Sequence, residues 1–539
     1  MATTALILLA VGGVPTTAEA ATTVSGCTDI SSPGVYELDG DITDSSDSSC
    51  INVTASDVVF DGQGHTIDGV NTPATVGINV TNPSTVLTNV TVRNVTVTDW
   101  GDGIRYDGAD DGTLTENNAS ENAGDGIELD GSTDNEVLDN EVDSNDESGI
   151  AIVDSSNGTV VDDVVVTDNN LGGSDSDAGI YVSGADNVSV TASEVRNNTN
   201  AGILVANAND TSLSNNGIFD SQSDGIRMDD VGPTVIGASN VSNSTEAGAY
   251  LDGVGGRVTV RDTTFNANDD EGVEARGFSS SVFENVTANR NGAEGINPRE
   301  NARILNSTVR NNSAGGIDTR FNATVVNVVA DDNRFQGIDV AGNATVRDSR
   351  AVNNSNRGIE ANENLLVRNV TVRNNGGDGI TGNGGLDVRN VTVRNNSRNG
   401  IHRDSGYGID HATIRDVVVV NNEDGIDAEA GATIRNATVA NSTDADVELE
   451  TNVTATNLTV GTNTMRFARF EAANVILTES NSTTAPPVPE GNRSVAHVRI
   501  DNRSDADRNF ANVTIAYDDA DVSNLEEGTL SLYRNDGSG

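Results

Sequence analysis

A repeat of 21 to 24 residues runs through most of this 539-residue sequence. The nine residues VRNVTVRNN that begin at Val367 return at Val388, 21 positions later, and the shorter VRNVTV already occurs at Val92. A glycine followed by a small or aliphatic residue marks each period, at positions 103, 126, 149, 179, 202, 225, 248, 272, 295, 316, 337, 358, 379, 400 and 425. A period of this length is typical of solenoids, in which like residues of successive coils stack on one another.

Each period contains short segments in which apolar and polar residues alternate. A segment of the form G-I-x-V is followed by a polar turn, then by a segment such as V-R-N-V-T-V, and then by paired Asn. Alternation of β-branched residues over four to six positions predicts strands with one buried face, and no run has the helical period. Leucine-rich repeats share the period but need Leu at fixed positions, where this chain has little. We therefore predict an all-β fold, a right-handed parallel β-helix solenoid of about 16 coils.

The charge of the chain excludes two classes of partner. The sequence has 82 acidic and 31 basic residues, all of the latter Arg, for a formal net charge of -51. Nucleic acids and anionic membrane surfaces both require a basic patch. Disorder is excluded by the regular strand pattern, so the acidity favours a folded protein that works at high salt, where screening removes the self-repulsion.

The N-terminal residues predict export. Residues 1–20 contain an apolar run from Ala5 to Val14 and then a small-residue cleavage pattern, as in a signal peptide. A buried N-terminal helix is the alternative, which Pro15 opposes. Residues 21–50 are predicted to form a cap in which Cys27 and Cys50 make one disulfide, two free thiols being the alternative. We expect an extracellular or cell-surface location, and no later run is long and apolar enough to span a membrane.

The remaining boundaries follow from composition. Residues 51–480 are assigned to the β-helix, and the Pro-rich residues 481–492 to a linker. Residues 493–539 have the pattern of a partial, sandwich-like β module that stops in mid-pattern, so we expect the chain to be truncated there. We expect a monomer.

The repeats, together with FDGQGHTIDG from Phe60 to Gly69, resemble the right-handed β-helix superfamily with its pectate-lyase-like fold. More narrowly they resemble the NosD-type family and its haloarchaeal relatives, over residues 30 to 480. The resemblance implies the fold, but this fold hosts lyases, hydrolases, epimerases, adhesins and accessory proteins. Acidity, the lack of Lys and the wealth of Asp, Val and Thr also resemble exported proteins of halophilic archaea. The NosD-type likeness implies an accessory role in metalloenzyme maturation, although three Met and four His do not make a copper site.

An insertion in the repeat carries the strongest candidate for chemistry. The period between the marker glycines at 400 and 425 contains HRDSGYGIDH, with about five residues more than its neighbours. Its candidate catalytic residues are His402, Arg403, Asp404 and His411, and its candidate substrate-binding residue is Tyr407. A histidine could act as general acid or base while an arginine neutralises a sugar carboxylate. The alternative is a solvated loop with incidental His.

Other candidates are weaker. Trp100, the only Trp, could stack on a sugar ring or cap an edge of the solenoid. Asp precedes the marker glycine at positions 102, 125, 224, 378 and 424 but not elsewhere. No cofactor or metal ligand is therefore assigned, although isolated Ca²⁺ sites between acidic turns remain possible beside a solvated acidic face. N-x-S/T sequons are dense, and Asn before Thr is also what the repeat itself demands.

The leading function is an exported, non-catalytic scaffold that binds glycans or partner proteins along its length. The alternatives are a polysaccharide lyase or glycoside hydrolase acting on a face of the β-helix, and the NosD-type accessory role. Against an enzyme, the Gly-His-Gly and Arg-Ile-Lys motifs of polygalacturonase-like enzymes and the Asp-Pro-His motif of alginate epimerases are missing. Whether the protein is an enzyme stays open from the sequence.

Overall fold

The computed structural model describes residues 20–173, 177–404, 412–428, 431–449, 453–461, 465–473, 475–479, 498–502 and 510–516. In these residues the regular secondary structure is entirely β, and the backbone winds about 18 turns of a parallel β-solenoid. The predicted fold class is confirmed, with about two turns more than the repeat count indicated. The chain divides into two compact units, residues 1–194 (unit 1) and 195–539 (unit 2).

Every regular coil contributes one strand to a front sheet, directly after the marker glycine, and further strands to a back sheet. The front strands of unit 1 are Thr28–Ile30, Ser49–Val53, Val76–Thr81, Asp102–Asp107, Ile127–Asp130, Ile150–Val153 and Ala178–Ser183. Its back strands are Thr22–Val24, Gly34–Leu38, Val58–Asp61, Thr66–Asp68, Thr91–Arg93, Thr96–Thr98, Thr113–Thr115, Asn118–Ser120, Glu136–Leu138, Glu141–Asp143, Val160–Asp162, Val165–Thr167 and Ser189–Thr191, with Glu194–Arg196 at the boundary. Leu87–Thr88 and Ala109–Asp110 form a separate short pair.

Unit 2 continues the same pattern by itself. Its parallel front strands are Ala201–Ala206, Ile226–Val231, Ala249–Gly253, Val273–Arg276, Ile296–Pro298, Ile317–Phe321, Ile338–Gly342, Ile359–Ala361, Ile380–Gly382, Ile401–Arg403, Ile426–Ala428 and Val447–Leu449. Its parallel back strands are Thr211–Ser214, Gly217–Phe219, Thr234–Gly237, Asn240–Ser242, Arg257–Arg261, Thr264–Asn266, Ser280–Glu284, Thr287–Asn289, Ala302–Leu305, Thr308–Arg310, Thr324–Val326, Val329–Asp331, Ala344–Arg347, Arg350–Val352, Leu365–Arg368, Thr371–Arg373, Leu386–Arg394, Ala412–Val420, Ala432–Ala440 and Val453–Val460.

The core of each unit is a stack of aliphatic columns. In unit 1 the register pairs Ile104 with Ile127, and Ile127 with Ile150, all fully buried. Like residues of successive coils therefore stack on one another, as the repeat predicts. The marker glycine is needed because the next coil passes too close for a side chain. A Cβ on Gly126 would lie 2.8 Å from the carbonyl oxygen of Gly149, one coil further on, and 2.5 Å from Cγ1 of Val142 within its own coil.

Asparagine side chains tie the coils together at the corners. Corner residues such as Asn369, with φ 54°, adopt the left-handed conformation that Asn tolerates better than most residues. A second, buried row runs through unit 2, in which each amide Nδ2 donates to Oδ1 of the Asn one coil further on, as from Asn354 to Asn375 at 3.0 Å. Exposed corner Asn are linked in the same way, as from Nδ2 of Asn390 to Oδ1 of Asn369 at 2.8 Å.

The two ends differ from the regular coils. Cys27 and Cys50, on successive coils, form the predicted disulfide, and strands within residues 21–50 already pair in parallel with the next coil. After Val453–Val460 the pairing turns antiparallel, through Met465–Ala473, Val475–Glu479, Val498–Asn502 and Phe510–Ala516. Residues 1–19 and the linker at 481–492 lie outside the described residues. No helix among the described residues is long and apolar enough to cross a membrane.

Candidate functional site

The outward residues of the front sheet in unit 2 are mostly able to ionise or to hydrogen bond. Side chains alternate along a strand, so the residue after each inward aliphatic residue points away from the core. Strands are paired in register, which stacks these residues about 4.8 Å apart in one column. This front column consists of Arg227, Tyr250, Glu274, Asn297, Asp318, Asp339, Glu360, Thr381, His402 and Asp427.

The first part of the front column is an aromatic and cationic group. The Tyr250 ring lies between two guanidinium groups, with Arg227 5.4 Å and Arg276 4.4 Å from its centroid. Arg227 also pairs with Asp229 at 2.9 Å, and Arg276 with Asp252 at 3.4 Å. Both ring faces of Tyr250 are thus occupied by arginine, which stabilises the group by cation–π contact.

Two neighbouring carboxyls, Asp318 and Asp339, form the middle of the column. They are register partners on adjacent strands, and neither makes a hydrogen bond or ion pair with any residue that the structure describes. Burial raises the pKa of Asp339 to about 7, with further increases from Glu360 and Asp318. Burial also raises the pKa of Asp318, although Arg320 opposes it. A carboxyl with a pKa of about 7, as at Asp339, can donate or accept a proton near neutral pH.

Two exposed aromatic rings flank this carboxyl pair. Phe321 ends the strand Ile317–Phe321 and is 44% exposed, whereas Phe335 lies just before the strand Ile338–Gly342 and is 50% exposed. Phe335 precedes Asp339 by four residues, and Phe321 follows Asp318 by three. Along the direction of the two parallel strands, one exposed ring therefore comes before the carboxyl pair and one comes after it.

The last part of the column contains a histidine oriented by a carboxylate. Nδ1 of His402 lies 2.9 Å from Oδ2 of Asp427, one coil further on, and 3.2 Å from Nδ2 of Asn399. Asp427 is only 7% exposed, and its Oδ1 is buried with no hydrogen-bond partner in the described part of the chain. A carboxylate that contacts Nδ1 fixes the orientation of the imidazole ring.

A series of hydrogen bonds and ion pairs connects His402 to the carboxyls of Glu360 and Asp378. Nε2 of Gln336 donates to Glu360 at 2.8 Å, and Arg357 pairs with Glu360 and, at 3.1 Å, with Asp378. The backbone N–H of Asn399 donates to the other oxygen of Asp378 at 3.2 Å, and the side chain of Asn399 contacts His402. These contacts hold the polar side chains in one arrangement.

The structure separates the residues that the sequence grouped in the insertion. His402 belongs to the front column, but Arg403 is the next residue along the strand and points inward. It is fully buried between Gly382 and Ala428, and its Nη1 donates to the carbonyl of Asp404. It therefore does not share a surface with His402. Asp404 is half-buried, while Tyr407 and His411 lie outside the described residues.

Trp100 is buried between coils rather than displayed on the surface. It is 1% exposed, and its Nε1 donates to the carbonyl of Ile67 at 3.1 Å. Since a buried indole offers no face to a sugar, the expectation of sugar stacking is corrected. Conversely, Asp427, Asp318 and Asp339 were not among the residues predicted from the sequence. The signal for them was present, because each follows the marker dipeptide directly.

A separate acidic cluster lies on the front sheet of unit 1. Carboxyl oxygens of Asp102, Asp125 and Glu128 lie within 4.8 Å of one another. Burial raises the pKa of Glu128 to about 7 and that of Asp125 well above its ordinary value, and neighbouring carboxyls raise both further. Arg105 partly neutralises the group, at 3.1 Å from Glu128. These residues fit one of the two alternatives for the acidic turns, an isolated Ca²⁺ site, which nothing in the structure tests.

Comparison with known proteins supports the fold. The family model described as "Right handed beta helix region" matches residues 33–176, 178–331 and 299–444. No curated protein matches the chain.

Solved structures similar to the chain are distant. They include the Dettilon tailspike protein gp208, 15% identical over 57% of this chain and 58% of that chain with TM-score 0.35. Pectate lyase Pel9A is 14% identical over 53% and 69%, with TM-score 0.27. The A-module of the Azotobacter vinelandii mannuronan C-5 epimerase AlgE4 is 15% identical over 62% and 76%, with TM-score 0.22. The chain thus spans less than two thirds of the tailspike's length.

Proposed function

Because this chain belongs to the right-handed β-helix family, we propose that it is an exported protein whose front column in unit 2 binds a polysaccharide. An extended column of polar side chains suits a long ligand, since polar or ionisable groups recur along it at intervals of about 4.8 Å. The net charge of -51 fits a protein that works outside the cell at high salt.

The observation that carries the proposal is the Asp318–Asp339 pair between exposed Phe321 and Phe335. Half-buried carboxyl oxygens without a partner are costly, and sugar hydroxyls would supply the missing donors. Aromatic rings such as those of the two Phe can pack against the apolar face of a pyranose. The site therefore combines the two kinds of contact that carbohydrates need.

A second candidate function is cleavage of the bound polysaccharide, favoured by the contact between His402 and Asp427. The carboxylate holds the imidazole through Nδ1, as an orienting group does for a general base. The raised pKa of Asp339 places a further group that can exchange a proton near neutral pH in the same column. In this case His402 would transfer the proton, and Asp427 would hold the imidazole of His402 in position.

The test is a panel of neutral and uronate polysaccharides in high salt, with binding measured by calorimetry. Binding should be lost in Phe335→Ala and in the double variant Asp318→Asn/Asp339→Asn, and kept in the matched control Asp332→Asn, which removes a charge at an exposed corner of the same coil. Binding that survives the double variant and the Phe335 variant, or that never occurs, would contradict the proposal.

Cleavage is followed in the same samples through new reducing ends and the absorbance of unsaturated products. Product formation that falls at least tenfold in His402→Ala, with binding retained, would support the second candidate. Binding without any product would leave the non-catalytic function as the account of this face.

A further inference from the structure

Each coil of unit 2 has an outer corner, a residue with positive φ that lies between the first and second back strands or, in the later coils, within one continuous back strand. In one coil the order is the front strand Ile359–Ala361, the back strand Leu365–Arg368, the corner residue Asn369, and the back strand Thr371–Arg373. A back strand thus separates the outer corner from the front sheet on either side. Whatever is attached at this corner projects away from the front column.

Six outer corners carry the sequence N-x-T. They are Asn285, Asn306, Asn369, Asn390, Asn436 and Asn457. Their φ angles lie between 51° and 56°, the first five are exposed, and Asn457 is half-buried. The Thr two positions later is exposed or half-buried in every case, while the residue between them points into the core. The coil therefore presents both polar members of the sequon on its surface.

The hydrogen bonds of this corner leave one amide hydrogen free for substitution. Nδ2 of Asn390 donates to Oδ1 of Asn369 at 2.8 Å, and Nδ2 of Asn369 donates to Oδ1 of Asp348 at 2.9 Å. An Asn side chain has two N–H groups, and this ladder uses one of them. The bond between coils can therefore persist when the second hydrogen is replaced by a sugar.

The buried Asn row provides the contrast. Nδ2 of Asn354 donates both to Oδ1 of Asn375 at 3.0 Å and to the carbonyl of Ala330 at 3.2 Å, and the side chain is buried. Both hydrogens are used and there is no space for a substituent. Buried Asn of this row could not carry a glycan in the folded chain, whereas the outer-corner Asn could.

We propose that the outer corner of unit 2 is a row of N-glycosylation sites, with Asn369 and Asn390 as its central members. In the reaction Nδ2 bonds to the anomeric carbon of a lipid-linked oligosaccharide, the bond from that carbon to the phosphate oxygen breaks, and the N–H proton leaves with the phosphate. No oxidant or reductant is needed. The proposal rests on the export in the proposed function, and it leaves the front column uncovered.

The experiment is peptide mapping by mass spectrometry on the chain recovered from outside cells of its native host. Peptides with Asn369 and Asn390 should be heavier than their sequence by whole sugar residues. In Thr371→Val, which keeps a β-branched residue in the strand but removes one sequon, the glycan at Asn369 should disappear and that at Asn390 should remain. Polysaccharide binding should not change in this variant.

Three outcomes would overturn the proposal. Unmodified Asn369 and Asn390 in the exported protein would show that the geometry is not used. A sugar that persists at Asn369 in Thr371→Val would indicate chemistry independent of the sequon. Recovery of the chain only from inside the cell would contradict the export on which the proposal rests. This failure can be distinguished from a failure of the proposed polysaccharide binding, because binding by the purified protein would be unaffected.

Discussion

Replacing Asp339 by Asn should stabilise the protein at pH 8 and have little effect at pH 4. Asp339 lies between Asp318 and Glu360 of the adjacent coils, where burial and the two acidic neighbours raise its pKa from 3.8 to about 7. The folded state thus binds the proton more tightly than the unfolded state. The stability contributed by this group is present in full below the unfolded pKa and is lost as the pH rises through about 7.

The magnitude follows from the size of the pKa change. A rise of about 3 pKa units at 1.4 kcal/mol per unit gives about 4 kcal/mol as an upper limit for the destabilisation by ionised Asp339. The side chain retains partial access to water, which screens the charge, so we expect about half of this at pH 8. Asn has the shape of Asp without the charge. Asp339→Asn should therefore gain about 2 kcal/mol over the wild type at pH 8 and under about 0.5 kcal/mol at pH 4.

The assay is urea unfolding of the wild type and the variant at constant high salt, at both pH values. The control is Asp332→Asn, which removes the same charge at an exposed corner where neighbouring coils already have Asn. It separates the effect of burial at Asp339 from the general decrease in charge repulsion that any lost carboxylate causes in a highly acidic chain. An equal gain for both variants at pH 8, or a gain for Asp339→Asn that is the same at both pH values, would refute the reasoning.

Three further predictions concern stability. Asn354→Ala should lower the free energy of unfolding by about 3 kcal/mol, because it leaves buried amide groups of two neighbouring coils without partners. The control Asn364→Ala, at an exposed position, should lower it by under about 1 kcal/mol. Equal losses for the two variants in urea unfolding would contradict this prediction. Trp100→Phe should lower the free energy of unfolding by about 2 kcal/mol, because a buried hydrogen bond is lost and a small cavity is left. An unchanged thermal unfolding temperature would contradict the burial of Trp100. Reduction of the Cys27–Cys50 disulfide should destabilise by about 3 kcal/mol and increase hydrogen exchange in the first coils, and unchanged exchange there would speak against its role.

The sequence alone was sufficient for the fold of the regular coils. The marker glycine, the inward Ile and the corner Asn recur at a fixed period, and stacking makes each repeat the environment of the next. Local alternation then determines which face is buried, as with Ile104 and Ile127. The disulfide could also be predicted, since the chain has only two cysteines.

The candidate site depended on the tertiary structure. Asp427 meets His402 only because the two coils are in register, and the insertion between them hides that register in the sequence. Adjacent residues were grouped as one site, but alternation along the strand sends His402 outward and Arg403 into the core.

What the sequence by itself determined is the repeating part of this protein: the period, the strands, the aliphatic columns and the corners. What only the tertiary structure decided is which polar residues stand together, such as Asp318 and Asp339 between two exposed Phe, and which aromatic residue is buried, as Trp100 is. The physical reason is that stacking places residues one coil apart within about 5 Å. The number of residues in each coil therefore decides which side chains become neighbours, and residues far apart in the sequence can be in contact.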